Sequence, residues 1–181
     1  MQSTIALDQL RVPAAARGTG VCRFCHSALK HTFVDLGMSP LCEGYLTAEQ
    51  LNQTEAFYPL HVKICEECYL VQLGEYVSAA DIFTEYAYFS SFSDSWLKHC
   101  SDYVDMISQR LALNDRSLAV ELASNDGYLL QYFANKNIPT LGVEPAANVA
   151  RAARQKGIPT LVKFFGCETA REMVRDGAGA D

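Results

Sequence analysis

The sequence has no apolar stretch approaching the roughly 18 residues that a membrane-spanning helix needs, so no membrane association is expected. Its first twenty residues, MQSTIALDQLRVPAAARGTG, lack the basic start and unbroken apolar run of a secretory signal. A cytoplasmic protein follows as the expectation, and in that reducing compartment its seven cysteines are thiols or metal ligands rather than disulfides. Basic excess is lacking too. Lys and Arg number 15 against 21 Asp and Glu, a net charge of -6, which leaves no broad positive field for a nucleic-acid backbone or an anionic membrane. There is no internal repeat and no low-complexity run. What is present, 49% hydrophobic residues over 181 positions, is enough to bury a core in one domain or two small ones.

Along the chain the composition changes three times. Residues 1–20 show no periodicity and read as a flexible leader. Residues 21–77 read as a small four-cysteine module of short strands, Thr32–Asp35, Tyr58–Ile64 and Tyr69–Leu73, separated by turns at Gly37, Pro40 and Gly44. Residues 78–116 read as a helical connector, with Ser93 as N-cap and Trp96, Cys100, Tyr103, Ile107 and Leu111 on one face. From 117 to 181 strands alternate with helices: Ser117–Ala123, helix Gly127–Asn135, Thr140–Glu144, helix Ala147–Lys156, Pro159–Lys163, helix Glu168–Arg175. Such alternation predicts parallel strands joined by right-handed crossovers. The fold class expected is α/β, a small zinc-binding α+β module followed by the first half of a Rossmann-like sheet.

Two C-x-x-C pairs, Cys22-Arg-Phe-Cys25 and Cys65-Glu-Glu-Cys68, offer four thiolates. Two such turns complete the closed tetrahedral sulfur shell that zinc prefers, with no position left for water, so the expected site is structural. A redox pair, two unrelated pairs of buried thiols, and an iron–sulfur cluster are the alternatives. Cys42, Cys100 and Cys167 lack a paired partner and read as small buried hydrophobes.

The second candidate site lies where Leu118-Ala-Val-Glu-Leu-Ala runs into Ser124-Asn-Asp-Gly127 and then a helix. In a doubly wound sheet that turn is at the carboxyl edge of the first strand, where ligands bind. G-x-G-x-x-G is lacking; Gly127 is present, but Ala123 and Asn125 occupy the other glycine positions. That argues for a ligand without a pyrophosphate, and S-adenosylmethionine fits the description. Candidate cofactor-binding residues are Glu121, Ala123, Ser124, Asn125, Gly127 and Tyr128 on the turn, with Glu144 and Pro145 closing the second strand. Glu144 is placed to accept both ribose hydroxyls. Any α/β protein has a strand followed by a turn, so each half of this pattern is a weak signal alone.

Taken in order, C-R-F-C (22–25), D-L-G-M-S-P-L (35–41), Y-P-L-H-V-K-I-C-E-E-C-Y-L-V-Q-L (58–73), Y-A-Y-F-S-S-F-S (86–93), V-E-L-A-S-N-D-G-Y-L-L-Q (120–131), L-G-V-E-P-A-A-N-V-A (141–150) and K-G-I-P-T (156–160) resemble the S-adenosylmethionine-dependent NDP-hexose C-methyltransferases of deoxysugar biosynthesis. The resemblance implies an N-terminal zinc domain, a class I methyltransferase domain, and a sugar-nucleotide substrate that Tyr86 and Tyr88 would contact. It implies deprotonation beside a 4-keto group and methylation of the resulting enolate, with the catalytic base and acid coming after Asp181. On this reading residues 117–181 are a truncated cofactor domain, inactive alone, whose unpaired first strand invites self-association. Two other functions compete: a stand-alone zinc-dependent binding module without catalysis, and a methyltransferase of the same architecture with another acceptor. Ala123 departs from the glycine usual there, a tolerable change provided its φ is not positive. The sugar, the carbon methylated and the oligomeric state stay open.

Overall fold

A computed structural model of the chain describes residues 20–181. The expected leader, Gly20 apart, lies outside the described residues. The chain forms two units divided between Ser78 and Ala79.

The first unit is an antiparallel sheet, order β1-β2-β3, of β1 (His31–Ser39), β2 (Tyr58–Ile64) and β3 (Val71–Leu73). Strand β1 is longer than its sequence pattern predicts because irregularities in its register, between Thr32 and Val34 and between Asp35 and Met38, let it follow β2 to Tyr58. The second irregularity contains Gly37 at φ +79°, its N–H held by the Asp35 carboxylate. Little apolar surface is buried: the core is Cys22, Leu29 and Cys65, with Cys25, Cys68 and Leu70 packed against it. Phe33, Leu36, Met38, Tyr45, Leu51 and Phe57 are all exposed.

The second unit has a parallel sheet, order β4-β5-β6, of β4 (Ala119–Leu122), β5 (Thr140–Val143) and β6 (Thr160–Leu161). Helices α1 (Ala79–Phe83) and α2 (Asp94–Leu111) precede it, α3 (Leu130–Ala134) and α4 (Ala147–Gln155) join its strands, and α5 (Cys167–Arg175) follows. The Ser93 side chain caps α2 by accepting the Trp96 N–H, and Ala112 at φ +52° ends that helix. The core gathers Val104 of α2, Leu130 and Phe133 of α3, Ile138, Ala153 of α4 and Ile158. Helix α3 is shorter than its sequence suggests, since Gly127 (φ +76°) and the residues after it are spent on the turn. Among the described residues no helix is long and apolar enough to cross a membrane.

Candidate functional site

The Sγ atoms of Cys22, Cys25, Cys65 and Cys68 all lie within 4.8 Å of one another. Both pairs are built alike. The Cys22 carbonyl accepts the His26 N–H and the Cys22 N–H donates to the Ser27 carbonyl; Cys65 does the same with Tyr69 and Leu70. The residue after each pair, His26 (φ 63°) and Tyr69 (φ 61°), is left-handed, which turns the chain so that both sulfurs face inward. Cys22 and Cys68 are 3.5 Å apart, as are Cys25 and Cys65. A tetrahedral ion with metal–sulfur bonds of about 2.3 Å would set its sulfurs about 3.8 Å apart, so the cage suits a single zinc-sized cation. It is too tight for a multi-iron cluster.

Electrostatics point the same way. Burial opposes ionisation of Cys22, but hydrogen bonds from the Cys25 and Phe24 backbone and the Gln72 amide outweigh it and bring the thiol down to about 6. The Leu70 backbone lowers Cys68, yet burial and the three neighbouring sulfurs push it up to about 12. Ionising all four sulfurs this close together would need a cation between them. Gln72 completes the surroundings: its Nε2 donates to Cys22 Sγ at 3.2 Å, and its Oε1 accepts the Arg23 N–H at 3.0 Å. Sequence reading missed Gln72, because only the folded strand β3 shows this polar side chain to be buried.

At the carboxyl edge of the parallel sheet, the turn after β4 contains three positive φ angles: Ala123 (56°), Asn125 (49°) and Gly127 (76°). Ala123 thus adopts the conformation the sequence reading wanted it to avoid. The turn keeps the glycine-like shape without the glycine, at a cost of roughly 1–2 kcal/mol for a left-handed alanine. Gly142 of β5 lies directly beneath: a Cβ there would stand 2.4 Å from Ser124 Oγ, so only glycine admits this close approach.

Glu144 follows β5 and is 6% exposed. Its Oε2 accepts the Asn125 N–H at 3.0 Å and its Oε1 the Ala146 N–H at 2.8 Å. The carboxylate therefore ties the two turns together, and each oxygen retains a second lone pair. Pro145 lies between these contacts in the chain. Glu121 lies on β4. Burial pushes its carboxyl from 4.5 up to about 7, against a hydrogen bond from Tyr128 and reinforced by Asp126 and Glu144. The Tyr128 ring packs 6.1 Å from that of Trp96, which stacks on His99.

Three buried polar atoms here have no protein partner: Glu121 Oε2, Ser124 Oγ and Asp126 Oδ1. Buried polar groups are normally satisfied, so three without partners at the end of β4 and on the turn after it are uncommon. Lys156 Nζ, unforeseen in the sequence, meets Asp126 Oδ2 at 2.8 Å. Tyr86 and Tyr88 lie on the segment before α2; Tyr88 is exposed and Tyr86 half-buried against Phe83.

Residues 22–83 match the family model described as "Putative zinc binding domain". The C-methyltransferase NovU of Streptomyces niveus is 32% identical over 152 residues, which cover 84% of this chain. The chain resembles a C-methyltransferase. It spans 36% of the length of that relative, and the matched zinc-domain segment contains all four clustered cysteines.

Proposed function

We propose that this chain provides the zinc-stabilised module and the methyl-donor site of an S-adenosylmethionine-dependent C-methyltransferase acting on a 4-keto deoxysugar nucleotide. The observation that carries the reading is the end of β4 and the turn after it, where Glu121, Ser124 and Asp126 each have a buried polar atom without a protein partner, beside the Glu144 carboxylate. The order of β4, β5 and β6 and their parallel pairing support a Rossmann-like class I sheet.

The donor set fits zinc, and Cys22, Cys25, Cys65 and Cys68 would hold it without an open coordination position, which makes its role structural. The polar turn fits S-adenosylmethionine. Glu121 and Asp126 would offer acceptors to the ammonium of its methionine part, and Glu144, with a lone pair left on each oxygen, would accept from the ribose hydroxyls. Held by these residues, the cofactor would supply an electrophilic sulfonium methyl. Tyr86 and Tyr88 would steady the sugar nucleotide so that its nucleophilic carbon meets that methyl in line. The ketone acidifies the adjacent carbon, and a positioned base removes its proton; no residue of this chain is assigned that role.

S-adenosylhomocysteine titrated calorimetrically into the full chain tests the reading. One-site binding is expected, weakened at least tenfold in Glu121→Gln combined with Asp126→Asn. Absence of binding at millimolar ligand overturns it.

A further inference from the structure

Between α1 and α2 the backbone runs as a strap, residues 84–92, against the turns that end β4 and β5. Apolar burial holds little of it: Tyr88, Phe89 and Phe92 are all exposed. Polar fastenings do the work instead. The Asn148 carboxamide accepts the Tyr86 N–H at 3.1 Å and donates to the Tyr86 carbonyl at 2.7 Å, standing in for a neighbouring strand. Asn125 accepts the Ser90 N–H at 2.8 Å and donates to the Tyr88 carbonyl at 3.1 Å. Lys156 Nζ bridges Ser91 Oγ at 2.6 Å and Asp126 Oδ2 at 2.8 Å. The Ala147 N–H adds a backbone bond to the Thr84 carbonyl.

Asn125 is the joint in this arrangement. Its backbone N–H is held by Glu144, its left-handed φ shapes the turn, and its side chain grips the strap. Whatever orders the turn must therefore also fix Asn125 and with it the backbone between Tyr88 and Ser90. A segment held by a few polar bonds opens at low free-energy cost, so its closed population responds to such ordering.

We propose that Asn125 and Asn148 are positioning residues that couple occupancy of the turn to the placement of Tyr86 and Tyr88. A ligand on the turn closes the strap, and by thermodynamic reciprocity a molecule held by the closed strap tightens the ligand on the turn. The chain would then gain acceptor affinity only after its methyl donor is in place. The identity of the ligand rests on the function proposed above; the coupling rests on the six side-chain hydrogen bonds.

Hydrogen exchange at the Tyr86 and Ser90 amides of the full chain, with and without S-adenosylhomocysteine, tests this. Saturating ligand is expected to slow both by about fivefold or more. Asn148→Ala, at the start of α4 where alanine suits a helix, should abolish the slowing at Tyr86 while the ligand still binds. Asn125→Gly, which retains the left-handed backbone, should abolish it at Ser90. A purely structural clamp would show equal exchange with and without ligand. Binding without slowing at either amide in the unsubstituted chain overturns the coupling and leaves the proposed function standing, whereas no binding at all sinks both. Should Asn125→Gly fail to fold, Asn148→Ala carries the same decision.

Discussion

Replacing Glu144 separates holding a ligand from holding the turn. Its carboxylate accepts two buried backbone N–H groups, from Asn125 at 3.0 Å and Ala146 at 2.8 Å. Hydrogen bonds to a charged partner contribute about 1.5–3 kcal/mol each, so Glu144→Ala removes about 3–6 kcal/mol and strands both donors. Domains are stable by only about 5–15 kcal/mol, so the variant stands near the limit of folding. Glu144→Gln keeps one acceptor oxygen but turns an NH2 toward the other donor, and should lose about half as much. The only tryptophan, Trp96, lies in the second unit, so its fluorescence during urea unfolding reports on that unit. A Glu144→Ala protein within about 0.5 kcal/mol of the native chain would refute the reasoning, because two buried charge-assisted bonds cannot vanish at no cost. Calorimetry with S-adenosylhomocysteine on the Gln variant then decides the ribose question: about tenfold weaker binding is expected, and undiminished affinity would leave the carboxylate a purely structural tie.

The other expectations can be measured on the same chain. Cys65→Ser should take zinc content from about one per chain to near none by metal analysis, since a closed four-thiolate shell does not tolerate the loss of a ligand; undiminished zinc would sink the four-cysteine assignment. Glu121 has a folded pKa of about 7 against an ordinary 4.5, so its protonated form adds stability that is complete below pH 4.5 and lost as pH rises through about 7. At about 1.4 kcal/mol per pH unit that contribution is about 3 kcal/mol, and Glu121→Gln should be more stable than the native chain by up to that amount at pH 8 in Trp96-monitored unfolding. Equal stabilities at pH 8 would contradict the burial. Ala123→Gly relieves a left-handed alanine, and after the extra chain entropy of glycine a gain of about 0.5–1 kcal/mol is expected in the same assay; a loss would mean that the alanine methyl packs usefully. Leu122 is exposed on β4, which among the described residues pairs in the sheet with β5 alone, and Leu122→Lys should shift any concentration-dependent self-association seen by sedimentation toward monomer.

How much of this was legible in the sequence varies with how local each signal is. Strand β2 matches its expected span, Tyr58–Ile64, because a run of apolar and β-branched residues between turns is sufficient information. The Ser93 cap was readable for the same reason: the hydroxyl and the N–H it accepts are three residues apart. The long β1 and the short α3 were misjudged. The length of β1 depends on register irregularities against β2, and α3 yields residues to a turn whose shape is set by β5 beneath it.

At the two sites the same division holds with more consequence. Four cysteines in two identical spacings announce a cage, because ligand type and the tight C-x-x-C turn are sequence properties. Gln72, which steadies Cys22, is recognised only once β3 has been folded against that turn. In the parallel sheet the polar turn was evident, but its chemistry was assigned to isolated residues. The structure instead gives Glu144 two backbone donors, Asp126 a lysine from the end of α4, and Asn125 a strap thirty-five residues earlier in the chain. Each of these partners is remote in sequence and none has a motif. A buried acid at the end of a strand can be guessed to bind something; whether it binds ligand or backbone is settled by which N–H groups the fold leaves without a carbonyl, and Asn125 and Ala146 are two of them.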